Sequence, residues 1–115
     1  MMEIKIIKEK ISRKEFKRIA EENFGDMVKA VVDVERGILA LGGELHIDGE
    51  ILLWENGSKS ENLWGINIYA DEDKDKRVGF IALINIRPAR GNRSMEVQDP
   101  KIREKIKEIV DKLIE

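Results

Sequence analysis

Val28-Lys29-Ala30-Val31-Val32-Asp33-Val34-Glu35-Arg36-Gly37-Ile38-Leu39-Ala40-Leu41 is the stretch that decides the fold. Two runs rich in β-branched and aliphatic residues, Val28 to Val34 and Ile38 to Leu41, flank Glu35-Arg36-Gly37, a short connection ending in glycine. That pattern predicts an antiparallel hairpin. Both runs are nearly continuous in apolar residues, so the hairpin belongs at the centre of its sheet.

Upstream, Ile4 to Lys8 is short, apolar and β-branched and reads as a first strand. A helix over about residues 13 to 24 follows. Ser12 and Glu15 form a capping box, Phe16, Ile19 and Ala20 share a face, and Gly25 sits where a left-handed C-cap belongs. Downstream, Glu44 to Trp54 supports two readings. Leu45 and Ile47 alternate as in a strand and Asp48-Gly49 suits a hairpin turn, whereas Ile47, Ile51 and Trp54 form a helical stripe. A short helix after a strand end is the favoured reading, and the hairpin stays open. Asn56 to Ser60 is a loop, Leu63 to Tyr69 a strand with Trp64, Ile66 and Ile68 on one face, and Asp71 to Arg77 a charged loop leading to a strand from Val78 to Arg87. Asp99 as N-cap and Pro100 at the first helical position start a final helix, with Ile102, Ile106, Ile109, Val110, Leu113 and Ile114 as its buried stripe.

The predicted order β-α-β-β-α-β-β-α gives an α+β fold: an antiparallel or mixed four- to five-stranded sheet with helices on one face, ferredoxin-like in its first six elements. One domain over residues 1–115 suits the length. Lys and Arg number 21 against 23 Asp and Glu, so no global basic field exists and non-specific nucleic-acid binding is disfavoured. The absence of cysteine removes disulfides, thiolate metal sites and a cysteine nucleophile. Met1-Met2-Glu3-Ile4-Lys5 lacks the apolar region of a signal peptide and no run is long enough to cross a bilayer, so the expectation is a cytoplasmic protein without membrane contact. Lys and Glu dominance with a single glutamine is a bias of proteins from hot environments.

Phe24-Gly25-Asp26-Met27-Val28-Lys29-Ala30-Val31-Val32-Asp33, Gly42-Gly43-Glu44-Leu45-His46, Leu63-Trp64-Gly65-Ile66-Asn67, Asn85-Ile86-Arg87-Pro88 and Gly91-Asn92-Arg93-Ser94 together resemble a small prokaryotic family catalogued only as a domain of unknown function. The resemblance runs from end to end and implies no activity. It implies alanine or a charged residue where this chain has Gly49, which favours a helix there.

Arg87-Pro88-Ala89-Arg90-Gly91-Asn92-Arg93-Ser94 holds three arginines and no acid. In a polyproline-like backbone Arg87, Arg90 and Arg93 would share one side, with Gly91 allowing an anion to approach the backbone. The alternative is that these arginines pair with acids of neighbouring helices and pin a connection. Asparagine is depleted in strands, so Asn67 and Asn85 each hydrogen-bond a loop backbone or a ligand. A composite anion site of Asn67, Asn85, Arg87, Arg90, Asn92, Arg93 and Ser94 is therefore expected. His46, the single histidine, sits among Glu44, Asp48 and Glu50, a set able to hold a divalent metal with water or to form a solvated acidic surface. Trp64 reads as core and Trp54 as a recognition candidate.

Two functions follow. The first is a binding or regulatory module, needing no cofactor and forming a homo-oligomer, whose arginine loop takes an anionic small molecule or an acidic protein patch. The second is a metal-dependent hydrolase of a phosphate-bearing substrate, with His46, Glu44, Asp48 and Glu50 on the metal.

Overall fold

The computed structural model describes residues 2–115. Strand β1 (Ile4–Ile7) is followed by helix α1 (Arg13–Glu22), strands β2 (Met27–Asp33) and β3 (Ile38–Gly42), helix α2 (His46–Glu55), strands β4 (Leu63–Tyr69) and β5 (Val78–Gly79), and helix α3 (Pro100–Leu113). The order predicted from sequence is the order found. The ends of the helices have the expected chemistry: Ser12 accepts from the Glu15 N–H at the start of α1, and Asp99 accepts from the Lys101 N–H at the start of α3. Gly25 takes the left-handed conformation beyond α1 that its position suggested, and its N–H closes on the Ala20 carbonyl.

All neighbouring strands are antiparallel, in the order β1-β3-β2-β4-β5, with the predicted hairpin in the interior. β1 and β2 therefore run parallel on either side of β3, and β3 and β4 run parallel on either side of β2. The first three strands form the split β-α-β unit of a ferredoxin-like arrangement. β4, however, adds beside β2, not at the β1 edge, and this placement decides where α2 goes. Both helical crossovers advance in the same direction across the sheet, but they leave strands of opposite sense. A right-handed path then puts the two helices on opposite faces.

The expectation of helices on one face accordingly holds for α1 and α3 and is corrected for α2. Phe16, Ile19 and Ala20 of α1 and Ile106, Ile109, Val110 and Leu113 of α3 bury against Val28, Ala30, Val32, Leu39, Leu41, Trp64, Ile66 and Ile68. On the other face Leu53 of α2 meets Val31, Ile38, Ala40 and Leu63 in a smaller cluster. Gly49 lets α2 lie close to the sheet, since a Cβ there would meet Val31 Cγ2 at 3.1 Å and Ala40 Cβ at 3.4 Å.

The strand expected over Val78 to Arg87 is a second correction. Only Val78 and Gly79 pair with β4, opposite Ile68 and Asn67. From residue 80 to 98 the chain forms an irregular strap along the β4 edge, including 3₁₀ turns at Leu83–Asn85 and Pro88–Arg90. Further along that edge a side chain replaces the ladder. Asn85 Oδ1 accepts from the Gly65 N–H at 2.8 Å and its Nδ2 donates to the Gly65 carbonyl at 2.9 Å. The strap packs so tightly on Gly65 that a Cβ there would meet Ala82 Cβ at 2.6 Å.

Candidate functional site

The arginine loop does not form the array its spacing suggested. Pro88–Arg90 is a 3₁₀ turn closed by Gly91 in the left-handed conformation, with Arg87 bridging to Asn92, so the polyproline geometry is absent; Arg87 and Arg90 both donate to the Ser60 carbonyl. Arg87 pairs with Glu50 of α2 and donates to the carbonyls of Ile84 and Ser60. The Arg90 guanidinium lies 4.7 Å from the centre of the Trp64 ring, while Arg93 is exposed. Asn92 is buried and donates to the carbonyls of Asn85, Ser94 and Glu96, and Asn85 clamps the strap to Gly65. Ser94 Oγ accepts from the Glu96 N–H. Asn85, Arg87, Asn92 and Ser94 thus have structural partners, and Asn85 lies in a turn where a strand was expected.

Nor does the histidine gather its acidic neighbours. Glu44 and Asp48 are exposed, Glu50 faces Arg87, and among the described residues no three His, Asp or Glu side chains are placed to hold a metal ion.

His46 instead meets a residue from the other expected site. A groove of about 420 Å³ opens between the start of α2 and the strap, lined by Met27, Lys29, Leu45, His46, Ile47, Asn67, Ile81, Ala82, Leu83, Ile84 and Met95. Its wall is apolar except for Lys29, His46 and Asn67, contributed by β2, α2 and β4. Nε2–H of His46 donates to the Ile66 carbonyl at 2.8 Å, which leaves Nδ1 as the acceptor of a neutral ring. Burial holds the imidazole pKa below its ordinary value, with the Lys29 charge acting in the same direction against the opposing effects of the Ile66 carbonyl and the neighbouring Asn67 side chain. Asn67 donates through Nδ2 to the Ile81 carbonyl at 3.1 Å, and its Oδ1 is out of solvent without a hydrogen-bond partner. Lys29 donates one proton to the Glu44 carbonyl at 2.7 Å and retains two donors. Leu45 supplies no side-chain cap to the N–H groups at the start of α2.

A larger hollow of about 640 Å³ runs beside α1, but all of its lining comes from residues 12–21 and most of it is charged, so nothing encloses a ligand there. Sequence reasoning flagged His46 and Asn67 separately and missed Lys29. The signal was present: Lys29 is the single cation of its strand, set between Val28 and Ala30.

The family described as "Protein of unknown function (DUF5674)" matches residues 5–113. The chain belongs to this family. No curated protein and no solved structure matches it. Membership thus confirms the family resemblance seen in the sequence, and chemical meaning has to be drawn from the groove itself. Among the described residues no helix is long and apolar enough to cross a membrane.

One further feature belongs to the same face. Ten large hydrophobic side chains are exposed among the described residues; eight of them, Leu45, Ile47, Ile51, Trp54, Ile81, Leu83, Ile86 and Met95, belong to α2, the residue before it, or the strap. The stripe Ile47, Ile51, Trp54 that argued for a helix points to solvent, because α2 meets the sheet through Gly49 and Leu53.

Proposed function

We propose that the domain is a binding module, regulatory in character, whose ligand is a small apolar carboxylate bearing a hydroxyl or amino donor beside the acid group. One observation carries this reading: three polar groups of complementary kind converge in a groove of ligand size that is otherwise apolar. Lys29 and the uncapped start of α2 suit the carboxylate. The Asn67 Oδ1, buried and unpaired, and His46 Nδ1 suit a neighbouring O–H or N–H donor, since leaving such an acceptor unsatisfied is costly and pairing it is favourable. Met27, Ile81, Leu83 and Met95 suit an aliphatic tail. The anionic ligand expected from sequence is retained, but its place moves from the arginine loop to the groove.

Thermal unfolding tests this with four probes: leucine, 2-hydroxy-4-methylpentanoate, 4-methylpentanoate without the donor, and 3-methylbutylamine without the acid. A ligand at ten times its Kd stabilises by about 1.4 kcal/mol, which raises the Tm of a domain this size by roughly 5 °C. The first two probes should produce the larger shifts, and Lys29→Met or Asn67→Ala should abolish them. Equal shifts for all four, or shifts unchanged in both variants, would refute the reading.

A second reading rests on Arg90 and Arg93, which bond no acid among the described residues. A hollow of about 270 Å³ lies beside Trp64, Arg90 and Gly91. Inorganic phosphate is its probe. The carboxylate of Asp99 in the same lining opposes an anion, which is why the groove is preferred.

A further inference from the structure

The outward stripe of α2 rests on a different observation from the groove and concerns a different partner. A helix on a sheet normally turns its apolar side inward. Here the inward side is Gly49 and Leu53, while Ile47, Ile51 and Trp54 face away, Trp54 being 64% exposed. The strap extends the patch with Leu83, 70% exposed, and Ile86. The salt bridge between Arg87 and Glu50 ties the strap to α2 and holds the two halves of the patch together.

We infer that this patch is the interface of a two-fold dimer of the chain. Its size supports a second copy. At the exposures found, these five side chains present about 500 Å² of apolar surface, taking roughly 200 Å² for each. Interfaces are about 60% apolar, so this corresponds to about 800 Å² per partner. That is the area each subunit contributes to an interface of standard size. The apolar area lies in the upper part of the range of the largest patch on a typical monomer, roughly 300–600 Å², and patches of that size are often functional. The charge pattern supports self-association as well. A two-fold interface sets a patch against itself, so a centre of one sign would repel its copy. Of the ionised groups at this patch, Arg87 and Glu50 neutralise each other inside the subunit, and the exposed carboxylates Asp48 and Glu55 lie beside the stripe at its rim. Trp54 supplies the aromatic anchor that such interfaces favour.

Sedimentation velocity on the full chain, followed down to about micromolar concentration, tests the inference. The wild type is expected at the mass of two chains. Ile51→Arg, which places an unpaired charge in the patch, and Trp54→Ala, which removes the anchor, should each raise the dissociation constant about 30-fold or more. Circular dichroism should be unchanged, because both side chains lie outside the core. Glu104→Lys on the opposite face should leave the dimer intact. A wild type that remains monomeric at every concentration overturns the inference, as does a dimer that survives both Ile51→Arg and Trp54→Ala. If Ile51→Arg fails to fold, Trp54→Ala at the solvent-facing end of α2 decides alone. Either result leaves the groove to its own probes, since neither substituted residue lines it.

Discussion

Replacing Asn85 by alanine should show how far one side chain organises the functional face. Asn85 is fully buried and makes four hydrogen bonds: it accepts from the Gly65 N–H and donates to the carbonyls of Gly65, Met95 and Phe80. Asn85→Ala strands the Gly65 N–H beneath the strap and removes a donor from three carbonyls, of which those of Met95 and Phe80 keep the N–H groups of Ala82 and Val97. A buried unpaired donor alone costs about 1–3 kcal/mol, and the carbonyls bring the expected loss to about 3 kcal/mol or more. That is a large share of the 5–15 kcal/mol typical of a domain. With a urea slope of about 1–3 kcal/mol/M, the unfolding midpoint should fall by about 1–3 M. Fluorescence of the buried Trp64 gives the assay. Asn85→Asp should be no better at neutral pH, because it sets a carboxylate oxygen against carbonyl oxygens where Nδ2 donated. Hydrogen exchange should quicken along residues 80–98 before it does in β2 and β3. A midpoint lowered by less than about 0.3 M would refute the view that the side chain stands in for a missing strand ladder.

Three further outcomes are expected. Burial lowers the His46 pKa below the unfolded value of about 6.5, so below that pH the unfolded chain binds a proton that the folded chain resists, and stability falls until the folded pKa is passed. The urea midpoint should therefore drop more between about pH 7.5 and pH 5.5 for the wild type than for His46→Gln, and equal drops would contradict the buried neutral ring. Ile106, fully buried between α3 and the sheet, should cost about 2–5 kcal/mol when replaced by alanine, and a midpoint change too small to resolve would show that the stripe of α3 is not buried. Arg77 is buried and donates to the carbonyls of Val110, Ile114 and Glu115 at the end of α3; Arg77→Met should cost about 2–3 kcal/mol, and a loss below about 0.5 kcal/mol would mean that these bonds do not hold the helix end.

What the sequence disclosed were features carried by neighbours in the chain. The Val28 to Leu41 hairpin, the Ser12 cap, the alternation of Trp64, Ile66 and Ile68, and the Ile102 to Ile114 stripe each declare themselves within a few residues, and each stands in the structure. The hidden features depend on distant choices. The face occupied by α2 follows from β4 adding beside β2, which nothing within α2 records. The run from Val78 to Arg87 is as apolar as a strand, and it departs from the sheet where Asn85 supplies through its side chain what the backbone would have given. For Arg87 the sequence leaves both an anion and an acid of a neighbouring helix open; the structure shows the second, and the choice is hidden because the partner, Glu50, lies 37 positions earlier. Lys29, His46 and Asn67 belong to three elements and become neighbours only when the strap forms the far wall of the groove.

The groove reading is tested most directly by a ¹⁵N-¹H correlation titration of the full chain with 2-hydroxy-4-methylpentanoate. Saturable shifts are expected at His46 and Ile47 at the start of α2, at Lys29 and Asn67, and at Ile81–Ile84 of the strap alone, with the Asn67 side-chain amide among the largest. Shifts centred on Arg90, Gly91 and Arg93, or no saturable shift in the groove while Asn67→Ala behaves as the wild type, would contradict it.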